Sequence, residues 1–205
     1  MTRPGKIVCV GRNYREHAKE LGNEVPKQPL IFLKPPSSVI HDGDTILMPA
    51  ASKQVDYEGE IGVVVGRTLR RASRDEARGA IGAIVALNDV TARDLQKSDG
   101  QWTRAKGFDT FCPVGTPNTR VPSDLGSLTV ITRVNGEERQ RATAAEMVFP
   151  IPELLSYISQ IMTLEPGDLV ATGTPSGVGA LKAGDVVEVE IPGLSCVKNP
   201  VAAGA

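Results

Sequence analysis

Asp56-Tyr-Glu-Gly-Glu-Ile-Gly-Val-Val-Val65 and, further along, Gly82-Ala-Ile-Val-Ala-Leu-Asn-Asp89 are short runs rich in Val, Ile and Ala that carry acids at one end. In the first, Glu58 and Glu60 stand two residues apart, so that in a strand both carboxylates project from one face. Like charges at that spacing repel unless neutralised, and a divalent cation does so directly. A solvated edge with alternate Glu residues facing water is the other reading of the pair. The second run is apolar almost throughout, as in a strand buried on both faces, and then stops at Asn88-Asp89. A carboxylate at the end of a buried strand is costly unless paired or metal-bound, which makes Asp89 a candidate third ligand beside the alternative of a turn-forming Asp. Hard oxygen donors without a thiolate, in a chain whose only histidines are His17 and His41, favour Mg²⁺ or Mn²⁺ over Zn²⁺.

Outward from these runs the same pattern recurs. Lys6–Val10, Leu30–Leu33, Thr45–Met48, Leu128–Val134, Leu169–Thr172 and Val186–Ile191 are brief apolar stretches bounded by Gly, Pro or Asp, as strands are. Gly43-Asp44, Gly167-Asp168 and Gly184-Asp185 each precede one of them as turn chemistry. Helices are fewer. Ser73 with Glu76, and Thr143 with Glu146, have the spacing of a capping box. Glu153–Met162 places Leu154, Leu155, Ile158, Ile161 and Met162 on one face before Glu165-Pro-Gly167 ends it. The expected fold class is α+β with sheet dominant: one domain over residues 1–205, with residues 1–50 as an N-terminal segment packed on a body of residues 51–205.

Composition removes several function classes. In 205 residues, 23 basic side chains nearly balance 24 acidic ones, and no basic stripe is available to displace counterions from a nucleic acid. No apolar run approaches the roughly 20 residues of a membrane span. The start of the chain carries no readable export signal, and Cys9, Cys112 and Cys196 form neither a pairing framework nor a C-x-x-C site. The expectation is a soluble protein of the reducing cytoplasm, with no nucleic-acid or membrane partner.

Three further segments could carry chemistry. A short helix through Gly11-Arg-Asn-Tyr-Arg-Glu-His17-Ala-Lys-Glu20 puts His17 and Glu20 on one face, where the carboxylate fixes the imidazole tautomer and supports it as a base. An exposed helix ion pair has the same spacing. Gln101–Pro113 mixes aromatic and basic residues without a period, as pocket-lining loops do, and its Lys106 could meet an anionic substrate. Thr172-Gly-Thr174-Pro-Ser-Gly-Val-Gly179 lacks the P-loop ending, yet its amides and the Thr174 hydroxyl could receive a carboxylate.

Taken in order, Val10-Gly-Arg-Asn-Tyr14, His17-x-x-Glu20, Phe32-Leu-Lys-Pro35, Glu58-x-Glu60, Thr91-Ala-Arg-Asp-Leu-Gln96, Ala105-Lys106, Cys112-Pro113, Val134-Asn-Gly136 and Thr172-Gly-Thr-Pro-x-Gly-Val-Gly179 resemble the fumarylacetoacetate hydrolase family, in its short single-domain acylpyruvase branch. The resemblance runs nearly end to end. It implies a mixed β-sandwich roll, usually dimeric, with Mg²⁺ or Mn²⁺ on Glu58, Glu60 and Asp89. It also implies a His17–Glu20 dyad on a lid over the substrate, with Gln96, Lys106 and Thr174 contacting substrate or placing water, and Arg12 and Tyr14 as further substrate contacts in the lid. The implied reaction is cleavage of a C–C bond in acylpyruvates, small 2,4-dioxo acids, to pyruvate and a carboxylic acid. Decarboxylation or tautomerisation of oxaloacetate, isomerisation of 2-hydroxyhepta-2,4-diene-1,7-dioate, and catalytically silent dicarboxylate binding are the alternatives.

Overall fold

The computed structural model describes residues 3–20, 22 and 24–204. Its largest sheet has the order β2 (Leu30–Lys34), β1 (Ile7–Gly11), β12 (Leu169–Ala171), β6 (Gly59–Val65) and β7 (Ile81–Asn88), with β1 and β12 parallel and the other pairs antiparallel. A second sheet runs β11 (Glu137–Thr143), β10 (Thr129–Val134), β14 (Val186–Ile191), β15 (Ser195–Ala203) and β4 (Ile46–Met48). Two small sheets complete the roll: β13 (Gly179–Ala180), β5 (Val55–Tyr57) and β8 (Thr91–Ala92) form one, and β3 (Val39–Ile40) with β9 (Cys112–Pro113) the other. The helices are α1 (Arg15–Glu20), α2 (Arg74–Arg78), α3 (Arg93–Asp99), α4 (Thr103–Lys106) and α5 (Ile151–Ile161).

The main core lies between the two large sheets, where Ile61, Val63, Ile84 and Ala86 meet Val130, Val189 and Val197. The alternate residues of β7, Val85 and Leu87, face the other way into a cluster with Ile7, Cys9, Leu169 and Ala171. Strand β7 is therefore buried on both faces, which is why its sequence reads as a continuous apolar run. All eight expected strands are present within a residue or two of their expected ends.

Several elements differ from expectation. The capping box on Ser73 opens α2, but the one on Thr143 opens only a 3₁₀ turn over Ala144–Glu146. Helix α5 buries Ile151, Leu154, Leu155 and Ile158, whereas Ile161 is 54% exposed. The chain leaves the helix at Met162, and Leu164, fully buried and bridged to Leu69, takes over the packing. Gln101–Pro113, expected to be irregular, contains α4 and β9. The three Gly-Asp turns have glycine φ values of 83°, 89° and 94°, a region that L side chains rarely adopt. Among the described residues no helix is long and apolar enough to cross a membrane.

Candidate active site

The front of β6 and the end of β7 are zipped together. Gly59 pairs with Asn88, the Asp89 amide donates to the Glu58 carbonyl at 2.8 Å, and the Glu58 amide donates to Asn88 Oδ1 at 2.9 Å. This ladder brings Glu58, Glu60 and Asp89 together: one carboxylate oxygen of each lies within 4.8 Å of those of the other two, and all three are buried. Gly59, between the two glutamates, has no room for a side chain, because a Cβ there would lie 1.9 Å from Thr132 Oγ1 on β10.

Buried carboxylates at such separations need compensation, and the surrounding cations supply it unevenly. Lys106 Nζ donates to Glu58 Oε2 at 2.8 Å and Asp89 Oδ2 at 2.6 Å. Lys34 Nζ, fully buried at the end of β2, donates to Asp89 Oδ1 at 2.6 Å and to the Val90 carbonyl at 3.1 Å. Arg93 spans Asp56, Glu58 and Gln96. Burial alone raises the Glu58 carboxyl, but Lys106 and Arg93 outweigh it and hold the group well below the usual carboxylate range. Glu60 accepts only from the Gly173 amide, at 2.7 Å, and no lysine or arginine is bonded to it among the described residues. Burial, with Asp89 and Glu58 as like-charged neighbours, pushes its carboxyl well up. Three oxygen donors, one of them without a cation of its own, are a set that a hard divalent ion completes.

His17 is buried on α1 with Nδ1 3.3 Å from Glu20 Oε2. Burial pushes its pKa below the ordinary imidazole value, although Glu58 and the Glu20 hydrogen bond oppose the shift. Glu20 also accepts from the Gly177 amide at 3.0 and 3.2 Å, which ties α1 to the glycine-rich loop. In that loop Thr174 Oγ1 donates to the Gly59 carbonyl and accepts from Gln140 Nε2, both at 2.9 Å.

These groups border one cleft, lined by Arg12, His17, Glu58, Glu60, Asp89, Arg93, Gln96, Lys106 and Thr174, with Val10, Gly11, Phe32 and Trp102 as its apolar side. Eight of the ten expected site residues thus lie on it directly. Glu20 stands behind His17. Tyr14 does not line this cleft: it is 2% exposed, its hydroxyl has no hydrogen-bond partner among the described residues, and it borders a separate depression with Arg15, Arg141 and Met147. Sequence reasoning assigned no role to Lys34, Asp56, Arg93, Phe32 or Trp102. A lysine inside an apolar strand and an arginine four residues past Asp89 were the available signals.

Comparison with known proteins shows what the chain as a whole is similar to. The sequence profile described as "Fumarylacetoacetate (FAA) hydrolase C-terminal" matches residues 6–202. The Arabidopsis thaliana protein named oxaloacetate tautomerase FAHD1, mitochondrial, is 47% identical over 202 residues, covering 96% of this chain and 90% of its own. Among solved structures, 5-carboxymethyl-2-hydroxymuconate delta-isomerase from Mycobacterium smegmatis superposes with a TM-score of 0.91 at 40% identity, over 99% of this chain and 80% of that one. Fumarylpyruvate hydrolase from Pseudomonas aeruginosa, in complex with Mn²⁺ and pyruvate, gives a TM-score of 0.92 at 30% identity, over 98% of this chain and 91% of that one.

Proposed function

Because the chain belongs to the fumarylacetoacetate hydrolase family, we propose that it is a metal-dependent enzyme that forms and reprotonates the enolate of a small 2-oxo acid carrying a second carbonyl group, with interconversion of the keto and enol forms of oxaloacetate as its principal reaction. The observation that carries this reading is an imidazole, braced by a carboxylate, in the same cleft as a buried triad of oxygen donors. Glu58, Glu60 and Asp89 would hold Mg²⁺ or Mn²⁺. When bound, such an ion supplies Lewis-acid stabilisation of the negative charge that develops on the 2-oxo oxygen.

The protein's own groups do the rest. With Nδ1 engaged by Glu20, His17 presents Nε2 as the group that takes a proton from C3 and returns it to oxygen, or the reverse; Glu20 stabilises the imidazolium in between. Such base catalysis is worth roughly 10² to 10⁴ in rate. Lys106 is held charged by Asp89 and Glu58 against the effect of its burial, and it lines the cleft, so it offers a fixed positive charge to a substrate oxygen. Gln96 is oriented by Arg93, and the Thr174 hydroxyl by Gly59 and Gln140. Loss of CO₂ from oxaloacetate would instead leave the enolate of pyruvate, which the same groups could reprotonate.

A second reading, C3–C4 hydrolysis of acylpyruvates to pyruvate and a carboxylic acid, is favoured by the His17–Glu20 pair, which is placed to deprotonate an attacking water, and by the likeness to fumarylpyruvate hydrolase. The test is a panel of oxaloacetate, acetylpyruvate and fumarylpyruvate, with and without Mg²⁺, on the wild type and His17→Ala. Metal-dependent enol–keto exchange of oxaloacetate that is lost in His17→Ala is the expected result. Turnover of none of the three with metal present would overturn both readings.

A further inference from the structure

Arg12 follows β1 with φ of +58°, in the left-handed region that a bulky residue rarely occupies. Its neighbours hold it there. The Asn13 side chain donates to the carbonyls of Phe149 and Thr172 and accepts from the Phe149 amide, the Asn13 carbonyl accepts from the Val148 amide, and Tyr14 bridges to Met147. Backbone strain fixed so firmly beside a cleft is characteristic of functional positions.

The side chain is placed with equal care. Its guanidinium carbon lies 6.0 Å from the centre of the Trp102 ring, Trp102 meets Phe32 edge to face at 5.2 Å, and Lys106 Nζ stands 5.0 Å over Phe32. Gly11 makes this possible, since a Cβ there would come within 2.8 Å of the Trp102 ring. Two aromatic rings thus separate Lys106, at the carboxylate triad, from Arg12 on the same cleft. The two cations differ in one respect. Lys106 is paired with Glu58 and Asp89, whereas Arg12 forms no ion pair among the described residues.

The ion pairs point the same way. Lys34, Arg93 and Lys106 are each bonded to Asp56, Glu58 or Asp89, so that among the described residues Arg12 is the cleft cation left to meet a substrate anion. A substrate with an anionic group at each end of the aromatic pair fits this arrangement. We propose that Arg12 binds a second carboxylate of the substrate, remote from the 2-oxo acid end, and so selects 2-oxo dicarboxylates over monocarboxylic 2-oxo acids. This inference rests on the enolate reading for its substrate, and its test separates the two.

Arg12→Gly suits both the positive φ and the removal of charge, and Arg12→Gln and Arg12→Lys complete the series. In the magnesium-loaded enzyme, Arg12→Gly and Arg12→Gln should lower the ratio of kcat/KM for oxaloacetate over its 4-methyl ester by roughly tenfold to a hundredfold, the usual worth of a charge-assisted hydrogen bond, mainly through KM. Arg12→Lys should restore part of it. Trp102, the single tryptophan of the chain, gives a readout independent of turnover. Its fluorescence should report tighter binding of 2-oxoglutarate than of 2-oxopentanoate, with the preference lost in Arg12→Gly. Arg12-dependent binding of 2-oxoglutarate without turnover of oxaloacetate would remove the enolate reading and keep Arg12. A wild type without dianion preference, or a preference that survives in both Arg12→Gly and Arg12→Gln, overturns the proposal.

Discussion

Gly59→Ala should be disproportionately damaging for a single added methyl group. The new Cβ would stand 1.9 Å from Thr132 Oγ1 and 3.2 Å from Thr132 Cβ and Gln140 Oε1, where ordinary contact begins near 3.4 Å. Relief therefore needs a shift of about 1.5 Å between β6 and β10 or a rotation of Thr132 inside a packed core, an overpacking strain that should cost about 3 kcal/mol. The strands cannot part freely, because Glu58 and Glu60 flank the site and are tied to Lys106 and Gly173. Thr132→Ala supplies the control. The Thr132 hydroxyl is buried without a partner among the described residues, so its removal alone should change stability by less than about 1 kcal/mol. In the double variant only the two contacts at 3.2 Å remain, and the coupling energy should be about 2 kcal/mol in favour of the pair. Urea unfolding in EDTA reads this directly: at the m-values usual for such proteins, the Gly59→Ala midpoint should fall by about 1 M and recover in the double variant. A Gly59→Ala midpoint within error of wild type, or no recovery with Thr132→Ala, would refute the reasoning.

His17→Ala should abolish oxaloacetate exchange while the protein stays folded, as circular dichroism would show; wild-type exchange in that variant removes the dyad. Burial lowers the His17 pKa, so the acid limb of kcat/KM should fall below the ordinary imidazole value near 6.5. The linked stability has a defined sign: the unfolded chain binds the proton more readily, so stability is complete above about pH 6.5 and declines as pH falls below it, a decline that His17→Gln should flatten in urea titrations. Lys34→Met keeps the volume but leaves Asp89 Oδ1 buried without its cation, so unfolding free energy should drop by roughly 3 to 5 kcal/mol; a drop below about 1 kcal/mol would show that Lys34 does not balance the site.

Much of this structure was legible because burial on both faces leaves a plain trace in sequence. Strands β1, β6, β7 and β12 have apolar residues on each side, so their composition alone separates them from helices. Strand β11, Glu137-Glu-Arg-Gln-Arg-Ala-Thr143, buries only Gln140 and Ala142, and its charges hid it. Strand β15 alternates buried and exposed residues but is broken by polar positions and Pro200. Helices α3 and α4 have no apolar stripe to find: what they bury includes Arg93 and Lys106, used as counter-charges for the acids. The acidic triad could be read because acids at the ends of apolar strands are anomalous. Its cations could not be assigned, since a lysine's partner is fixed only by the approach of β2 to Asp89. Tyr14 is a residue adjacent to the site in sequence whose side chain is buried in the core.

The most direct test is isothermal titration of Mg²⁺ and Mn²⁺ into the metal-free protein and into Glu58→Gln, Glu60→Gln and Asp89→Asn. One ion per chain, with affinity reduced tenfold or more in every variant, is the expected result. Equal affinity in all four proteins would contradict the triad as the metal centre, and with it the proposed chemistry.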